Sequence, residues 1–316
     1  MPALLVHDFF AQDAFGSAIE SVNLYTPDER DAFLLGSQGP DPLFYLLLMP
    51  PLEEFRKLGH QMHDEGPSSL LVAMHKAVDA LDAEDQPIGR AYLAGFVCHY
   101  LLDRAIHPLV GFWERGICQA GVLDLDATDA SAVHADVERD FDEMALYKKR
   151  NQTILAYRPY EEVLRARDEV LNIIGKVYFS VAVAAIAGGE PTAVRVFPIA
   201  VRCYRIAMRA MYSPRGAQSK LLGAVESVVL HERYPMLRTM AHRVRAEATS
   251  VYENADHRPW RDPYTDAVRT ESFWDLYDGA LAEAGSAIAT VLSPAFDKGA
   301  AAVLTRGINF SGNPVE

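Results

Sequence analysis

The chain has 316 residues, half of them hydrophobic, and carries a formal net charge of −13. A chain of this length and apolar content can bury a substantial core, as one large domain or as one domain with a helical extension, which argues against a disordered protein. The net negative charge argues against binding of nucleic acid through a broad basic face, so nucleic acid is a less favoured partner.

Cysteine usage and the N-terminal residues bear on the compartment. The three cysteines form no C-x-x-C pair, which indicates small buried residues and neither a disulfide framework nor a cysteine zinc knuckle. The apolar residues 3–6 are interrupted by His7, so no signal peptide is recognisable, and the longest apolar run, residues 177–187, is too short to cross a bilayer. The sequence therefore predicts a soluble, cytoplasmic protein.

Helical periodicity dominates the chain, and alternating strands bounded by Asn-Gly or Asp-Gly turns are missing, so an all-α fold is predicted. The first helix is expected at about residues 3–17, and a short second helix is expected to end near Gly36. Segment 36–42 contains two glycines and two prolines, and it predicts a rigid turn that holds Asp41 in an extended conformation between the prolines. The result is a fixed carboxylate.

The remaining chain is predicted to be helical, with Ser131 as a candidate N-cap. The expected helices cover residues 67–81, 89–106, 131–148, 161–187, 191–212, 217–252 and 272–292, with an ordered loop at 259–264. We predict that residues 1–150 form a metal-binding helical core and that residues 151–316 are a helical continuation that completes or extends the same domain.

His99, Asp103 and His107 follow one another at four-residue spacing on one predicted helix, so they share one face. Four residues rise about 6 Å, which lets His99 and Asp103 reach a common metal, whereas eight residues rise about 12 Å. The spacing therefore favours two neighbouring metals with the carboxylate of Asp103 between them.

His134 and Glu138 repeat this spacing on the next predicted helix. Together with His107 they would supply two nitrogens and one oxygen to a metal and leave a position open for water, as catalytic zinc sites do. His7, Asp41 and His63 would complete the ligands of the other metals.

Residues 1–140 resemble the zinc-dependent phospholipase C family, which is related in fold to the single-strand-specific fungal nucleases. The resemblance lies in the type and order of His7, Gly39-Pro40-Asp41, Met62-His63, His99-x-x-x-Asp103-x-x-x-His107-Pro108 and His134-x-x-x-Glu138.

The resemblance implies an all-helical bundle around a di- or trinuclear zinc site that hydrolyses a phosphodiester, with phospholipid as the family's substrate. It implies one zinc on His63, His99 and Asp103, a second on His107, His134 and Glu138, and a third on His7 and the bridging Asp103. Asp41 would be the acid or base beside the attacking water. Contact with a membrane surface would be transient. The secreted relatives are extracellular, and they hold the third zinc with an N-terminal Trp that this chain lacks.

Other interpretations stay open at this point. His99, Asp103 and His107 fit a buried hydrogen-bonded set, His60 competes with His63 as a ligand, and Asp41 fits a residue that only stiffens a turn. The same predicted metal ligands would also suit a nuclease or a phosphomonoesterase. A further alternative is a non-catalytic helical protein whose metals are structural.

Overall fold

A computed structural model describes residues 4–22, 24–121, 124–183, 191–212 and 241–315. This part of the chain is mostly helical, which confirms the predicted all-α class. The α-helices are α1 Leu4–Val22, α2 Pro27–Gly36, α3 Arg56–Asp64, α4 Pro67–Asp79, α5 Gln86–Ala120, α6 Ala130–Arg150, α7 Pro159–Glu162, α8 Asp168–Tyr178, α9 Val196–Met211, α10 Phe273–Val291 and α11 Lys298–Thr305.

Shorter elements connect these helices. In the described segments, 3-10 helices cover Asp41–Leu48, Pro50–Phe55, Ala127–Asp129 and Pro191–Arg195, and a π-helix covers Phe179–Val183. The described strands, β1 Trp260–Arg261 and β2 Val268–Arg269, pair antiparallel, with Trp260 opposite Arg269. No helix of the described segments is long and apolar enough to cross a membrane.

Contacts divide the chain into two compact units. The α6 unit comprises Met1–Val6, Ile106–Glu162 and Ile206–Leu276, and the α4 unit comprises His7–Ala105, Val163–Arg205 and Tyr277–Glu316. These units interleave along the chain, whereas the predicted ranges 1–150 and 151–316 are continuous.

In the α4 unit, α2 and α5 are in close backbone contact. Thr26 and Glu29 form a capping box at the start of α2, with Pro27 in the first turn, where its missing N–H removes no helical hydrogen bond. Near the end of α2, a Cβ on Gly36 would lie 2.2 Å from the Tyr92 carbonyl oxygen, and one on Gly95 would lie 2.0 Å from the Phe33 carbonyl oxygen. Only glycine allows this approach, which brings the turn after α2 against α5.

Aromatic side chains fill the core of the α4 unit. Tyr178 and Phe197 stack with ring centroids 3.9 Å apart, and Tyr92 packs edge-on against both rings. Phe10 of α1 meets Tyr277 of α10 edge-to-face at 5.1 Å. Residues 91–103 of α5 are all buried, so every side chain of that stretch, polar or not, needs a partner inside the protein.

The α6 unit is organised by buried carboxylates on α6. Asp140 and Glu143 bind Arg243 with N···O distances of 2.8 and 2.7 Å, and Asp140 also binds Arg245. Asp142 accepts hydrogen bonds from the backbone N–H groups of Leu5 and Val6, at 2.9 and 2.8 Å. The second oxygen of Asp142 lies 2.8 Å from Nε2 of His242. Asp142 thus caps the first turn of α1 from a residue far along the chain.

Several predicted helix bounds are wrong. The helix predicted at 89–106 runs on through Pro108 to Ala120. Proline removes one backbone hydrogen bond from a helix interior. Leu109 and Val110 are fully buried directly after it, and their burial offsets that cost. Ser131 is not the N-cap of α6, because the helix begins at Ala130 with Asp129 before it.

Asp41 does not adopt the predicted extended conformation. It begins a 3-10 helix in which Pro42 occupies the first turn, where a proline is tolerated.

The C-terminal predictions hold in part. Helices at 191–212 and 272–292 are found with small changes of bounds, whereas the predicted helix 161–187 is broken after α7 at residues 163–167. Residues 241–252 are not helical, so that end of the predicted helix 217–252 is wrong. Residues 184–190 and 213–240 lie outside the described segments, and α11 was not predicted.

Candidate metal centre

Helix α5 presents three of the predicted ligands. His99, Asp103 and His107 are spaced by four residues, and each step turns the side chain by about 40° around the helix axis. His99 and Asp103 belong to the α4 unit, and His107 belongs to the α6 unit. Each unit contains its own group of metal-ligand side chains.

The α4 unit brings five predicted residues together, here called the five-ligand cluster: His7, Asp41, His63, His99 and Asp103. They form two overlapping groups, His7–Asp41–His99 and His63–His99–Asp103, whose candidate ligand atoms lie within 4.8 Å of one another in each group. His99 is fully buried, and Asp41 is 2% exposed. Histidine nitrogens and carboxylate oxygens in this combination are the donor set that zinc takes in proteins.

Asp103 is central to the five-ligand cluster, because its two oxygens face different imidazoles. Oδ1 lies 3.0 Å from Nε2 of His7, whereas Oδ2 lies 3.1 Å from Nε2 of His99 and 3.6 Å from Nε2 of His63. A carboxylate in this position can contact one metal through each oxygen, which is the geometry of a bridging ligand.

Backbone carbonyls orient two of the histidines. Nδ1 of His63 lies 2.7 Å from the Gly59 carbonyl oxygen, and Nδ1 of His99 lies 3.1 Å from the Ser37 carbonyl oxygen. Because each Nδ1–H donates to a carbonyl, Nε2 of each ring is directed into the cluster, where the two Nε2 atoms are 3.5 Å apart. Zinc-binding histidines are held in this way.

The turn before Asp41 is fixed against α5. Gly39 has φ +50, and a Cβ there would lie 2.2 Å from Cδ2 of His99. The Gly39 carbonyl oxygen accepts from the hydroxyls of Tyr178 and Tyr92, at 2.9 and 3.2 Å. Only glycine fits this conformation next to an imidazole ring, so the turn and His99 are placed together.

One carboxylate oxygen of Asp41 faces two histidines of the five-ligand cluster. Its Oδ1 is 3.2 Å from Nε2 of His63 and 4.0 Å from Nε2 of His99. Its Oδ2 is buried and has no hydrogen-bond partner within the described segments. A buried carboxylate oxygen without a partner is costly, and a metal ion or a metal-bound water would satisfy it.

The α6 unit contains the second group, here called the three-ligand cluster: His107, His134 and Glu138. Oε1 of Glu138 lies 3.3 Å from Nε2 of His107 and 3.3 Å from Nε2 of His134. On the other side of the His134 ring, Nδ1 lies 2.9 Å from Oε2 of Glu114. The two histidine nitrogens and the Glu138 oxygen therefore lie close together, as predicted for an N,N,O ligand set.

Both clusters match the dimensions of zinc coordination. In a tetrahedral site with zinc–nitrogen and zinc–oxygen bonds of about 2.0–2.1 Å, adjacent ligand atoms are about 3.3 Å apart. The 3.1, 3.6 and 3.5 Å separations among His63, His99 and Asp103 surround that value. In the three-ligand cluster, Oε1 of Glu138 is 3.3 Å from each of the two histidine nitrogens. By number, type and spacing the residues could hold a metal ion, and their separations are compatible with zinc.

Charge in the clusters shifts two histidine pKa values. Burial by itself lowers the pKa of His63, but the hydrogen bond and charge of Asp41, with the charge of Asp103, raise it to about 9. Burial likewise lowers the pKa of His134, but the charge of Glu138 and the hydrogen bonds to Glu114 and Glu138 raise it to about 9. Both rings hold a second proton at neutral pH when no metal is bound, so a metal must displace it.

His63, and not His60, joins the five-ligand cluster; His60 is exposed and packs on Phe44. Other described histidines outside the predicted ligands pair with nearby carboxylates: His75 with Asp79, His242 with Asp142 and His257 with Asp275. His231 lies outside the described segments. The paired aromatics Phe9 and Phe10 are buried core residues.

Sequence reasoning missed the residues that support the ligands. Ser37, Gly59 and Glu114 hold the far nitrogens of three histidines. Phe310, near the C-terminus, packs on His63 and His99 with ring centroids 5.1 and 5.7 Å away. Only Glu114 had a sequence signal, since it follows His107 by seven residues and lies in phase with it on a helix.

No protein-family model, no curated protein and no solved structure matches this chain.

Proposed function

We propose that this chain is a zinc-dependent phosphoric diester hydrolase that resembles phospholipase C in its fold and its use of two or three zinc ions. The observation that carries the proposal is the five-ligand cluster, in which two carboxylates and three imidazoles are gathered in a buried interior. A protein interior rarely accepts so many ionisable groups unless they bind a metal or one another. The approach of the His63 and His99 Nε2 atoms to 3.5 Å of each other supports a metal that both rings bind.

The proposed roles are those that the resemblance implies, and the contacts within each cluster support them. His63, His99 and Asp103 hold one ion, His107, His134 and Glu138 hold another, and His7 with the second oxygen of Asp103 holds the third. Bound zinc would supply a water of lowered pKa and neutralise the charge of a phosphoryl group. Asp41 accepts or returns a proton at its Oδ2, because that oxygen is buried beside the histidines and no described group binds it.

Phospholipid is the proposed substrate class. The 3-10 helix that begins with Asp41 ends in the exposed apolar residues Leu47 and Leu48, and Met49 follows it; the three side chains are 37%, 44% and 37% exposed. Pro50 and Pro51 follow and stiffen the segment. Exposed consecutive apolar residues suit a transient contact with a membrane surface. The net charge of −13 disfavours nucleic acid as a substrate.

Metal analysis and three substrates test the proposal. Protein purified without added zinc should contain two or three equivalents of zinc, and it should hydrolyse phosphatidylcholine in micelles faster than single-stranded DNA or p-nitrophenyl phosphate. Chelation should abolish turnover, and zinc should restore it.

Asp41→Asn should lower turnover by about 100-fold or more, as the loss of a general acid or base does. Asp82→Asn, at a side chain that is 78% exposed, is the control and should leave turnover unchanged. Protein that takes up no zinc, or an Asp41→Asn variant with full activity, would refute the proposal.

A further inference from the structure

Glu114 is a partly buried carboxylate that none of the predicted roles uses. Its Oε2 lies 2.9 Å from Nδ1 of His134, and Nε2 of the same ring lies 3.3 Å from Oε1 of Glu138. The His134 and Glu114 side chains are only 23% and 25% exposed. The imidazole of His134 is therefore held between two carboxylates, one on each nitrogen.

This arrangement differs from that of the other oriented histidines. His63 and His99 donate from Nδ1 to neutral backbone carbonyls of Gly59 and Ser37, whereas His134 donates to a charged side chain. A carboxylate on the far nitrogen fixes the tautomer, and its charge also raises the electron-donating strength of the near nitrogen. A backbone carbonyl supplies the orientation with less charge.

The continuation of α5 beyond Pro108 is what places Glu114 there. Glu114 follows His107 by seven residues on the same helix, so the two side chains lie almost in phase, two turns apart. His107 approaches Glu138 directly, and Glu114 approaches His134 from its other side. One stretch of α5 thus provides a ligand to the three-ligand cluster and the support for another ligand.

We propose that Glu114 is a positioning residue that acts through His134 to strengthen zinc binding at the three-ligand cluster. It holds the Nδ1 proton and so directs the Nε2 lone pair towards the ion shared with His107 and Glu138. The proposal rests on the proposed function only in requiring that this cluster binds zinc.

Zinc titration of the full chain against a chromophoric chelator tests this role. His134→Ala first identifies which zinc equivalent belongs to the three-ligand cluster. In Glu114→Gln, which keeps the size of the side chain, that equivalent should bind about 10- to 100-fold more weakly, and zinc bound at the five-ligand cluster should be unaffected. Asp79→Asn is the matched control, since it removes the carboxylate of a histidine pair, His75–Asp79, outside both clusters, and it should change no zinc affinity.

Nitrogen NMR of the zinc-loaded protein gives a second measurement, the Nδ1 resonance of His134. A merely structural role of Glu114 would leave this resonance unchanged. In the unsubstituted chain the His134 ring should show a protonated Nδ1 and a metal-bound Nε2, and Glu114→Gln should shift the Nδ1 resonance while the other histidines keep theirs. An unchanged affinity, within about twofold, overturns the positioning role, as does complete loss of the equivalent, which would make Glu114 a ligand. A chain that binds no zinc at all would instead overturn the proposed function, so the two failures are distinguishable.

Discussion

Gly39→Ala should dismantle the five-ligand cluster while leaving most of the fold intact. The substitution places a Cβ 2.2 Å from Cδ2 of His99 and forces an L-residue into φ +50. The left-handed conformation costs about 1–2 kcal/mol, and forced overpacking costs about 1–3 kcal/mol. Together these lower the free energy of unfolding by about 2–5 kcal/mol, out of the roughly 5–15 kcal/mol that is typical of a folded protein.

Two glycines of the same chain separate these contributions. Gly121 has φ +62 with no described atom within 4 Å of a Cβ, so Gly121→Ala should show the conformational cost alone. Gly16 lies in α1, also with nothing described within 4 Å, so Gly16→Ala should stabilise the chain by about 0.5–1 kcal/mol.

Urea unfolding of metal-free protein measures the free energies, and zinc analysis measures the cluster. Gly39→Ala should unfold at lower urea than Gly121→Ala and should lose the zinc bound through His99, whereas both control variants keep it. Equal destabilisation of Gly39→Ala and Gly121→Ala, with full zinc content in both, would show that Gly39 does not set the position of His99.

Three further predictions concern protons, the α6 unit and the exposed apolar run. Zinc binding at about pH 7 should release protons, because His63 and His134 have pKa values of about 9 in the metal-free chain. Calorimetry in two buffers of different ionisation enthalpy measures the number of protons released. A binding heat that does not depend on the buffer would contradict the prediction. Burial raises the pKa of Asp140, but its hydrogen bonds to Ser250 and Arg245 outweigh this and lower it. Asp140→Asn should therefore destabilise the α6 unit at neutral pH, and the difference from the unsubstituted chain in urea unfolding should disappear as the pH falls through that lowered pKa. Leu48→Glu should weaken sedimentation with phosphatidylcholine vesicles and leave hydrolysis of a water-soluble diester unchanged. The control Val303→Glu, at an 80% exposed side chain on α11, should alter neither. Equal vesicle binding by both variants would contradict a membrane contact at Leu48.

Local periodicity accounts for what the sequence could predict of the candidate site. His99 and Asp103, like His134 and Glu138, are four residues apart on one helix, so their shared face follows from helix geometry alone. The grouping of each pair with its neighbours agrees with that expectation, and their use as metal ligands stays a prediction.

Contacts between distant segments could not be predicted in the same way. The sequence predicts a helix over residues 89–106, so Glu114 lies outside the predicted element, whereas α5 continues through Pro108 to Ala120. Gly39 looked like a turn residue, but its close approach to His99 joins segments that are sixty residues apart in the chain. Packing decides both features. The spacing of Glu114 from His107 becomes a signal only once the helix is known to continue past Pro108.

The carboxylate of Asp142 has a consequence for the order in which the chain folds. It binds the backbone of Leu5 and Val6 across sequence separations of 137 and 136 residues. Closing so long a loop is entropically costly and slow compared with forming a helix locally. The first turn of α1 should therefore be among the last parts of the chain to gain protection from hydrogen exchange during refolding, and it should become protected only after α6 has formed.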